Sequence, residues 1–419
     1  MARNRTYTEI VTGLDVGSSS VRVAVGQLVV SKDHPQQLQI VSSIEVPSEG
    51  IQKGQITSIE DTVSAVSNAL EQAEKMVGVP IEHVWVGVSG NQIISQESKG
   101  VIAISRTDGE VAEEDIDRAV DAAKAISTPL NYEILHVLPR SFSVDGQTGI
   151  KDPVGMTGIR LEVDTKIIHS VTSHIKNLSK VVYRAGVDID DFVLSILAAG
   201  EVVINSRQKE LGCVVVNIGG PTTSMVVYED GDVLHTSVIP IGSSHITNDL
   251  ALGLKTSIDV AERVKKEYGE CVSRGINKKE IVDLKDVGAD KSEIVTRYYI
   301  AQIIEARVSE ILEKVDEELA SIERSNMLPA GAVFIGGGSK VNGIIDIAKQ
   351  VLSLPAQLGY PLGVDSISDK ISDISFAPAI GLVKWGSALT HDGKRKPFMS
   401  NFKGKMSDRV KGIFKSLIP

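Results

Sequence analysis

The fold is decided by a stretch of sequence that occurs twice in related form. Residues 10–25 read IVTGLDVGSSSVRVAV, and residues 214–228 read VVVNIGGPTTSMVVY. Each consists of a β-branched run, a short turn rich in glycine and hydroxyl side chains, and a second β-branched run, which predicts a β-hairpin. Asp15 and Asn217 occupy corresponding positions, 202 residues apart. A repeat at this separation indicates a duplicated α/β domain rather than a short-period repeat.

The two turns have the composition of phosphate-binding loops. Glycine lets the backbone approach a phosphate closely, consecutive N–H groups form an anion-binding nest, and hydroxyl side chains add donors. One such turn is weak evidence, but two at duplicated positions, with a third glycine-rich turn at 336–339, are stronger. They predict a nucleotide held in a cleft, with its phosphates between the two hairpins. Neither GxxxxGK[ST] nor GxGxxG occurs, so the P-loop and dinucleotide-binding interpretations lack their signatures.

The composition is that of a globular protein with several domains. The chain has 419 residues, and its net charge of −10 argues against a chain-wide nucleic-acid surface. The two cysteines, Cys213 and Cys271, cannot form a disulfide framework and belong to no Cys/His cluster, which favours the reducing cytoplasm. No apolar stretch of about 18 residues and no signal-peptide core is present, so we expect neither a membrane span nor a targeting segment.

Between and after the hairpins, apolar periodicity predicts alternating strands and helices. We expect strands over 84–89, 165–171 and 332–335, and helices over 59–77, 110–125, 173–185, 244–252, 257–268 and 291–325. The turn residues at 145–149 and at 152–158 predict two loops.

The end of the chain differs from the acidic body. Residues 394–419 contain eight basic residues against one acid, Asp408, and the polar segment at 392–400 is typical of a linker. Within 401–418, apolar residues recur on one helical stripe: Met406, Val410, Ile413, Phe414, Leu417 and Ile418. Arg409 and Lys415 are among the basic residues on its flanks and back. The pattern predicts an in-plane, membrane-targeting amphipathic helix on anionic lipid rather than a last helix packed on the body.

A segment in the middle of the chain has a specific sequence of turn residues. It reads HVLP at 136–139 and DGQTGIKDPVGMTGIRLE at 145–162, and it resembles the small inserted domain of the FtsA family of actin-like bacterial cell-division proteins. The hairpins are similar to the two phosphate loops of that family, and AVFIGGGS at 332–339 is similar to its adenosine loop. The resemblance covers nearly the whole chain.

The resemblance implies an actin-like fold, with a duplicated domain, an interdomain nucleotide cleft, an FtsA-type inserted α+β domain and a C-terminal amphipathic helix. The expected parts are subdomain 1A at 1–86, 164–199 and 374–391, inserted subdomain 1C at 87–163, subdomain 2A at 200–248 and 305–373, and subdomain 2B at 249–304.

The resemblance also implies ATP and Mg²⁺ as ligands. Glu262 and Lys265 would face the ribose, although a pair three residues apart is equally typical of an exposed helix face. Asp15 would hold the metal through water. The expected ATP-binding residues are Asp15, Gly17, Ser18, Ser19, Ser20, Gly219, Gly220, Thr222, Thr223, Glu262, Lys265, Gly336, Gly337, Gly338 and Ser339.

Three positions depart from the family pattern. Asn217 stands where the family usually has aspartate, Pro221 where it has a third glycine, and Ser20 where it commonly has lysine. An amide holds a metal-bound water less firmly than a carboxylate and cannot act as a base. We therefore assign no catalytic residue and expect ATP binding with slow or absent hydrolysis; the alternative is that the exchanges are neutral.

The function implied by the resemblance is that of a membrane adaptor. Such a protein tethers FtsZ filaments to the inner face of the cytoplasmic membrane at the septum, self-associates into filaments and recruits later division proteins. Lys291 and Arg297 are the expected contacts for the C-terminal peptide of FtsZ. One alternative is an actin-like protein of type IV pilus assembly that binds a peptide of a membrane partner. Another is a small-molecule kinase, against which Asn217 and the basic tail both argue.

Overall fold

The computed structural model describes residues 7–30, 37–125, 128–366 and 372–390, and the predicted linker and amphipathic helix lie outside these ranges. The first half consists of β1 (Tyr7–Val16), β2 (Ser20–Val30), β3 (Gln37–Pro47), β4 (Ile51–Gln52), β5 (Gln55–Ile56), α1 (Ile59–Val77), β6 (His83–Val88), β7 (Ile93–Ala103), α2 (Glu113–Lys124), β8 (Tyr132–Val144), β9 (Gln147–Ile150), β10 (Arg160–Val171), α3 (Thr172–Arg184), β11 (Asp188–Leu194) and α4 (Ser195–Val203).

The second half begins with α5, which follows α4 after a two-residue connection. Its elements are α5 (Ser206–Leu211), β12 (Cys213–Ile218), β13 (Thr223–Glu229), β14 (Asp232–Ile239), α6 (Ser243–Gly253), α7 (Ile258–Tyr268), β15 (Ile281–Asp283), β16 (Ile294–Thr296), α8 (Arg297–Ser321), β17 (Ala332–Ile335), α9 (Ile344–Leu352), β18 (Ala356–Leu358), β19 (Asp365–Ser366) and α10 (Ala377–Thr390).

The two halves contain sheets of the same topology, except that β19, from near the end of the described chain, adds one strand beside β3 in the first sheet. In the described residues, one sheet has the order β11-β6-β1-β2-β3-β19 and the other the order β14-β13-β12-β17-β18. Each has an antiparallel three-stranded meander, β1-β2-β3 or β12-β13-β14, that is extended by parallel strands on the side of its first strand. The predicted duplication of an α/β domain is therefore confirmed.

The two sequence repeats also share their strand register. In the first hairpin, Asp15 pairs with Arg22 and Val16 with Val21. In the second, the residues 202 positions later form the same pairs, Asn217 with Ser224 and Ile218 with Thr223. Each turn is closed by the same hydrogen bond, from Gly17 N–H to the Ser20 carbonyl at 3.1 Å and from Gly219 N–H to the Thr222 carbonyl at 2.9 Å. The backbone that the repeats build is thus the same in both halves.

Helices α4 and α10 lie between the two sheets. Their buried side chains join one apolar cluster that also includes Val193 of the first sheet and Val215 of the second. The helices pack backbone to backbone, since a Cβ at Gly381 would lie 2.0 Å from the carbonyl oxygen of Ala198. Only glycine permits this approach, so the pair forms a close-packed bridge between the halves.

The inserted domain has a sheet and a core of its own. Its sheet has the order β7-β10-β8-β9, and α2 covers it through buried side chains such as Val120 against Leu161. Strand β10 runs from Arg160 to Val171, so the expected end of inserted subdomain 1C at position 163 falls inside a strand. The loop predicted over 145–149 is partly wrong, because only Asp145 and Gly146, with positive φ values of 49° and 89°, form a turn, and the next residues belong to β9.

The long helix of the second half is shorter than predicted. It begins at Arg297 rather than 291 and ends at Ser321 rather than 325. Thr296 caps it, as its Oγ1 accepts a hydrogen bond from Tyr299 N–H at 3.2 Å. The preceding β-branched run forms β16, which pairs with β15. Lys291 therefore lies in the connection before β16, and not on the helix.

Candidate functional site

A cleft of about 680 Å³ opens between the two halves of the molecule. It is lined by the first turn (residues 17–20), the second turn (residues 219–222), α7 and the glycine-rich turn after β17. The residues singled out from the sequence that line it are Asp15, Gly17, Ser18, Ser19, Ser20, Asn217, Gly219, Gly220, Pro221, Thr222, Glu262, Lys265, Gly336, Gly337 and Gly338. The tertiary structure thus brings together residues that are more than 300 positions apart.

Two of the expected ligand contacts do not line the cleft. Thr223 is buried and its Oγ1 donates to the Ile241 carbonyl at 2.8 Å. Ser339 is also buried and its Oγ donates to the Ile335 carbonyl at 2.6 Å. Both hydroxyls stabilise the backbone of a lining turn, which is a supporting role that the sequence does not distinguish from direct contact.

Other lining residues were not predicted from the sequence. They include Glu45 on β3, Ser195 on α4 and Lys266 on α7, and also Lys340 and Asn342, which follow the third turn. Lys340 forms an ion pair with Asp373 at 2.7 Å. No local pattern marks these residues, because their position in the cleft depends on how the strands and helices pack.

The first turn is held in place by the hairpin β4–β5. Ser18 Oγ accepts a hydrogen bond from Gly54 N–H at 2.8 Å, and the Ser19 carbonyl accepts one from Ser48 N–H at 3.2 Å. The inserted domain supports this hairpin, because Gln92 Nε2 donates a hydrogen bond to the Gly54 carbonyl at 3.3 Å. Hydrogen bonds to neighbouring segments thus hold this wall of the cleft in place.

The second turn is held by the start of α6 and faces the first across the cleft. Ser243 N–H donates to the Gly219 carbonyl at 2.9 Å, and Ser244 N–H donates to the Gly220 carbonyl at 2.8 Å. A Cβ at Gly220 would lie 2.2 Å from Ser19 Oγ, so the two turns approach each other closely. An anion in the cleft would therefore meet backbone and hydroxyl donors from both halves at once.

Asp15 is the carboxylate at the floor of the cleft, only 7% exposed. Burial raises its pKa, while Arg22 on the paired strand and a hydrogen bond from Ser195 Oγ, at 3.0 Å from Oδ1, oppose this shift. Arg22 itself is paired with Glu45 at 2.6 Å. A buried carboxylate whose pKa is raised is stabilised by a cation placed beside it, so Asp15 fits a hydrated divalent ion. Within the described ranges, no cluster of three or more His, Cys, Asp or Glu residues could hold a metal by itself.

The raised pKa of Asp15 predicts the pH dependence of stability. Above the folded-state pKa the carboxylate is ionised at a full desolvation cost, and this cost declines as the pH falls from that pKa towards the ordinary value of 3.8. Asp15→Asn keeps an oxygen for Ser195 but removes the charge, so we expect it to raise the free energy of unfolding at pH 8. The gain should shrink towards pH 4, as measured by urea unfolding at both pH values without added ligand. A gain of equal size at both pH values would contradict the assignment.

A polar group on α6 and α7 lines the cleft near the third turn. Lys265 Nζ lies 2.6 Å from Glu262 Oε2 and 2.8 Å from Thr247 Oγ1, which itself donates to Glu262. Burial lowers the pKa of Lys265, although the neighbouring Glu262 carboxylate acts to raise it. Burial also acts to raise the pKa of Glu262, but the hydrogen bonds from Lys265 and Thr247 outweigh it, and this pKa lies below its usual range. The two residues are thus a partly buried ion pair rather than a solvated helix face.

The third turn packs against the end of β12, just before the second turn. Gly336 has a φ of 88°, and a Cβ there would lie 2.2 Å from Asn217 Oδ1 and 2.6 Å from the Ile218 carbonyl oxygen. Its neighbour Gly337 has nothing within 4 Å of a Cβ and lines the cleft. Gly336 is therefore required by the fold, whereas Gly337 leaves space for a flat group against the backbone.

The predicted partner contacts lie apart from the cleft. Arg297 forms an ion pair with Glu280 at 3.0 Å, and Lys291 is exposed. The structure does not describe the six apolar residues of the predicted amphipathic stripe, nor Arg409 and Lys415. In the part of the chain that it does describe, no helix combines the length and apolarity needed to cross a bilayer.

Family models match two parts of the chain. A model described as "Cell division protein FtsA" matches residues 214–381, and one described as "SHS2 domain inserted in FTSA" matches residues 90–169. The second range contains the four-stranded sheet of the inserted domain almost completely.

The fold resembles those of solved actin-like proteins. A chain of a PilM–PilN type IV pilus biogenesis complex matches with a TM-score of 0.64 at 15% identity, over 90% of this chain and 98% of that chain. MreB5 of Spiroplasma citri, bound to ADP, matches with a TM-score of 0.55 at 13% identity, over 93% of this chain and 99% of that one. At such low identity these likenesses show the actin-like fold and nothing finer.

Comparison with curated sequences gives relatives over most of the chain. The cell division protein FtsA of Pseudomonas aeruginosa is 34% identical over 385 residues, which are 92% of this chain and 91% of that protein. FtsA of Bacillus subtilis is 37% identical over 377 residues, which are 90% of this chain and 83% of that protein. With the inserted domain in place between two actin-like halves, this chain belongs to the FtsA family of bacterial cell-division proteins.

Proposed function

We propose that this chain is a nucleotide-dependent adaptor that binds ATP in the interdomain cleft and connects FtsZ filaments to the inner face of the cytoplasmic membrane at the division site. The observation that carries the nucleotide part is the pair of turns in identical register that face each other across the cleft. The phosphates would lie between these turns, the ribose near Glu262 and Lys265, and the base and ribose against Gly337. The solved MreB5 relative, which shares the fold, holds ADP.

Mg²⁺ would accompany the nucleotide and offset phosphate charge. Asp15 would hold it through water, and Asn217, at the equivalent position of the second half, would offer an amide oxygen. Because an amide cannot take a proton from water at neutral pH, this chain lacks a general base at position 217. We expect binding to dominate and hydrolysis to be slow or absent, so the nucleotide acts as a ligand that closes the two halves.

The test of this proposal is the variant Asn217→Asp, with ATP affinity and phosphate release measured beside the wild type. We expect tight binding and negligible release by the wild type, and at least a severalfold gain in release by the variant, since the carboxylate can accept a proton. Lys176→Gln, at an exposed lysine that does not line the cleft, is the control, and we expect it to match the wild type in both measurements. Measurable release by the wild type that the variant leaves unchanged would show that position 217 is not where the metal acts.

The adaptor part rests on family membership and on the sequence of the tail. The amphipathic stripe from Met406 to Ile418 would lie in the interface of an anionic membrane, with its basic flank towards the headgroups. The acidic C-terminal peptide of FtsZ would bind subdomain 2B, where Lys291 is exposed and forms no ion pair within the described residues. Arg297 would have to exchange its partner Glu280 for the peptide. Self-association into filaments and binding of later division proteins complete the proposal.

A further inference from the structure

A second pocket lies at the far end of the two helices that bridge the halves. Helices α4 and α10 reach the interdomain cleft near their starts, at Ser195 and Pro378. Their other ends, together with α5 and the connection after β18, enclose a pocket of about 290 Å³. We call it the base pocket because it lies at the base of the helix pair, away from the nucleotide cleft. The residues that matter for its chemistry are Glu201, Lys209, Leu362, Lys384, Trp385 and Leu389.

The charges in the base pocket do not balance. Lys209 Nζ is 2.7 Å from Glu201 Oε1, and the Lys209 side chain is only 9% exposed. Lys384 Nζ donates to the backbone carbonyl of Glu201 at 2.5 Å and forms no ion pair within the described residues. Glu201 is the only acid among the described residues that line the pocket. Two ammonium groups thus share one carboxylate and one carbonyl dipole at the end of α4, leaving an excess positive charge.

The rest of the base pocket is apolar. Trp385 and Leu389 on successive turns of α10 and Leu362 on the connection after β18 form this part of the lining. Leu362 is also tied to the helix pair, since its N–H donates to the Val202 carbonyl at 2.6 Å. A concave site with an aromatic and aliphatic wall and a few convergent charged groups has the usual character of a ligand pocket.

We propose that the base pocket binds a carboxylate attached to a short apolar group, with the carboxylate paired to Lys384 and Lys209 and the apolar group against Trp385, Leu362 and Leu389. The excess of one positive charge suits a monoanion, whereas a phosphate monoester would bring close to two negative charges at neutral pH. The volume accommodates one or two side chains or a short-chain acid. The same chemistry is offered by a free carboxylic acid and by an acidic, apolar peptide segment of a partner.

The test uses the full chain and the fluorescence of Trp385, one of only two tryptophans. The probes are hexanoate, its neutral and cationic analogues hexanol and hexylamine, inorganic phosphate, and the capped peptides acetyl-Leu-Glu-Leu-amide and acetyl-Leu-Gln-Leu-amide. We expect saturable binding of hexanoate, of the glutamate peptide or of both, and none of the other probes. Which of the two binds identifies a free acid or a peptide as the source. The signal should disappear in Trp385→Phe.

Variants of charge separate the proposal from a general apolar effect. Lys384→Gln should weaken binding about tenfold or more, as expected when a charged hydrogen bond is lost. Lys176→Gln, at an exposed lysine of α3, should leave it unchanged. Equal binding of hexanol and hexanoate, preference for phosphate, or binding of no probe would each overturn the proposal, and the probe series on the wild type decides this even if Lys384→Gln does not fold.

A carboxylate of the chain itself that competes with the probes for the base pocket requires a separate control. Asp392 lies three positions beyond Leu389 and outside the described residues, so its carboxylate is within reach along the chain. If the wild type binds no probe and Asp392→Asn binds hexanoate, the site belongs to the chain itself and the proposal of a separate ligand is wrong. Equal binding by wild type and Asp392→Asn agrees with the proposal. None of these substitutions touches the interdomain cleft, so ATP affinity serves as an independent check of folding.

Discussion

Replacing Gly336 by alanine is expected to lower ATP affinity by about a hundredfold or more and to cost roughly 2–4 kcal/mol of stability. The backbone φ of 88° disfavours any side chain. In addition, the new Cβ would lie 2.2 Å from Asn217 Oδ1 and 2.6 Å from the Ile218 carbonyl, so the third turn must move away from β12. That movement separates the adenosine side of the cleft from the phosphate side, and a misplacement of about 1 Å costs much of the binding.

The matched control is Gly337→Ala, one residue further on. Its Cβ meets no protein atom within 4 Å, so we expect a stability within about 0.5 kcal/mol of the wild type. Any loss of ATP affinity in this variant would then come from contact with the nucleotide itself. Urea unfolding and titration with a fluorescent ATP analogue measure the two quantities separately. Wild-type affinity in Gly336→Ala would show that the third turn is not the adenosine site.

Deleting residues 401–419 is expected to abolish binding to anionic vesicles, with a loss of affinity of at least about a hundredfold. The bulky apolar residues of the stripe after Met406 would contribute roughly 4–7 kcal/mol if each buries half of its side chain. Each basic residue near the surface adds about 1 kcal/mol on anionic lipid. Ordering the helix offsets part of this, since Gly404 and Gly412 disfavour a helix in water.

Co-sedimentation with vesicles of mixed neutral and anionic lipid measures this effect, and FtsZ added to the same tubes tests the adaptor. We expect FtsZ to pellet with vesicles only in the presence of the full-length chain. A substitution of Phe414 by glutamate should reproduce the deletion, while Ser407→Ala, off the apolar stripe, should not. If the truncated chain still pellets with vesicles, the anchor lies elsewhere. If the full chain pellets with vesicles and FtsZ does not, the result agrees with membrane binding by the tail and contradicts the tethering of FtsZ.

Much of the fold and the three glycine-rich turns of the cleft could be predicted from the sequence, because these features are local. The helix over 59–77 and the strand over 332–335 have the predicted bounds, since periodicity and flanking turn residues define them. The two glycine-rich turns could be matched because a duplicated domain repeats its residues at a constant offset. The long helix is predicted to begin at 291 because helical periodicity extends that far. The prediction is wrong because the β-branched run before Arg297 forms β16, which pairs with β15.

By itself the sequence determined the duplicated α/β halves, the three glycine-rich turns and the amphipathic pattern of the tail, since each depends on residues close together along the chain. Only the tertiary structure decided that the Thr223 and Ser339 hydroxyls bond to backbone carbonyls behind the turns, and that Glu262 and Lys265 form a partly buried ion pair. It also decided that Lys209 and Lys384 both bind Glu201, one through its carboxylate and the other through its backbone carbonyl. These facts depend on burial and on the approach of distant segments. Charge balance in a low-dielectric pocket is set by neighbours in space, which spacing along one chain does not encode.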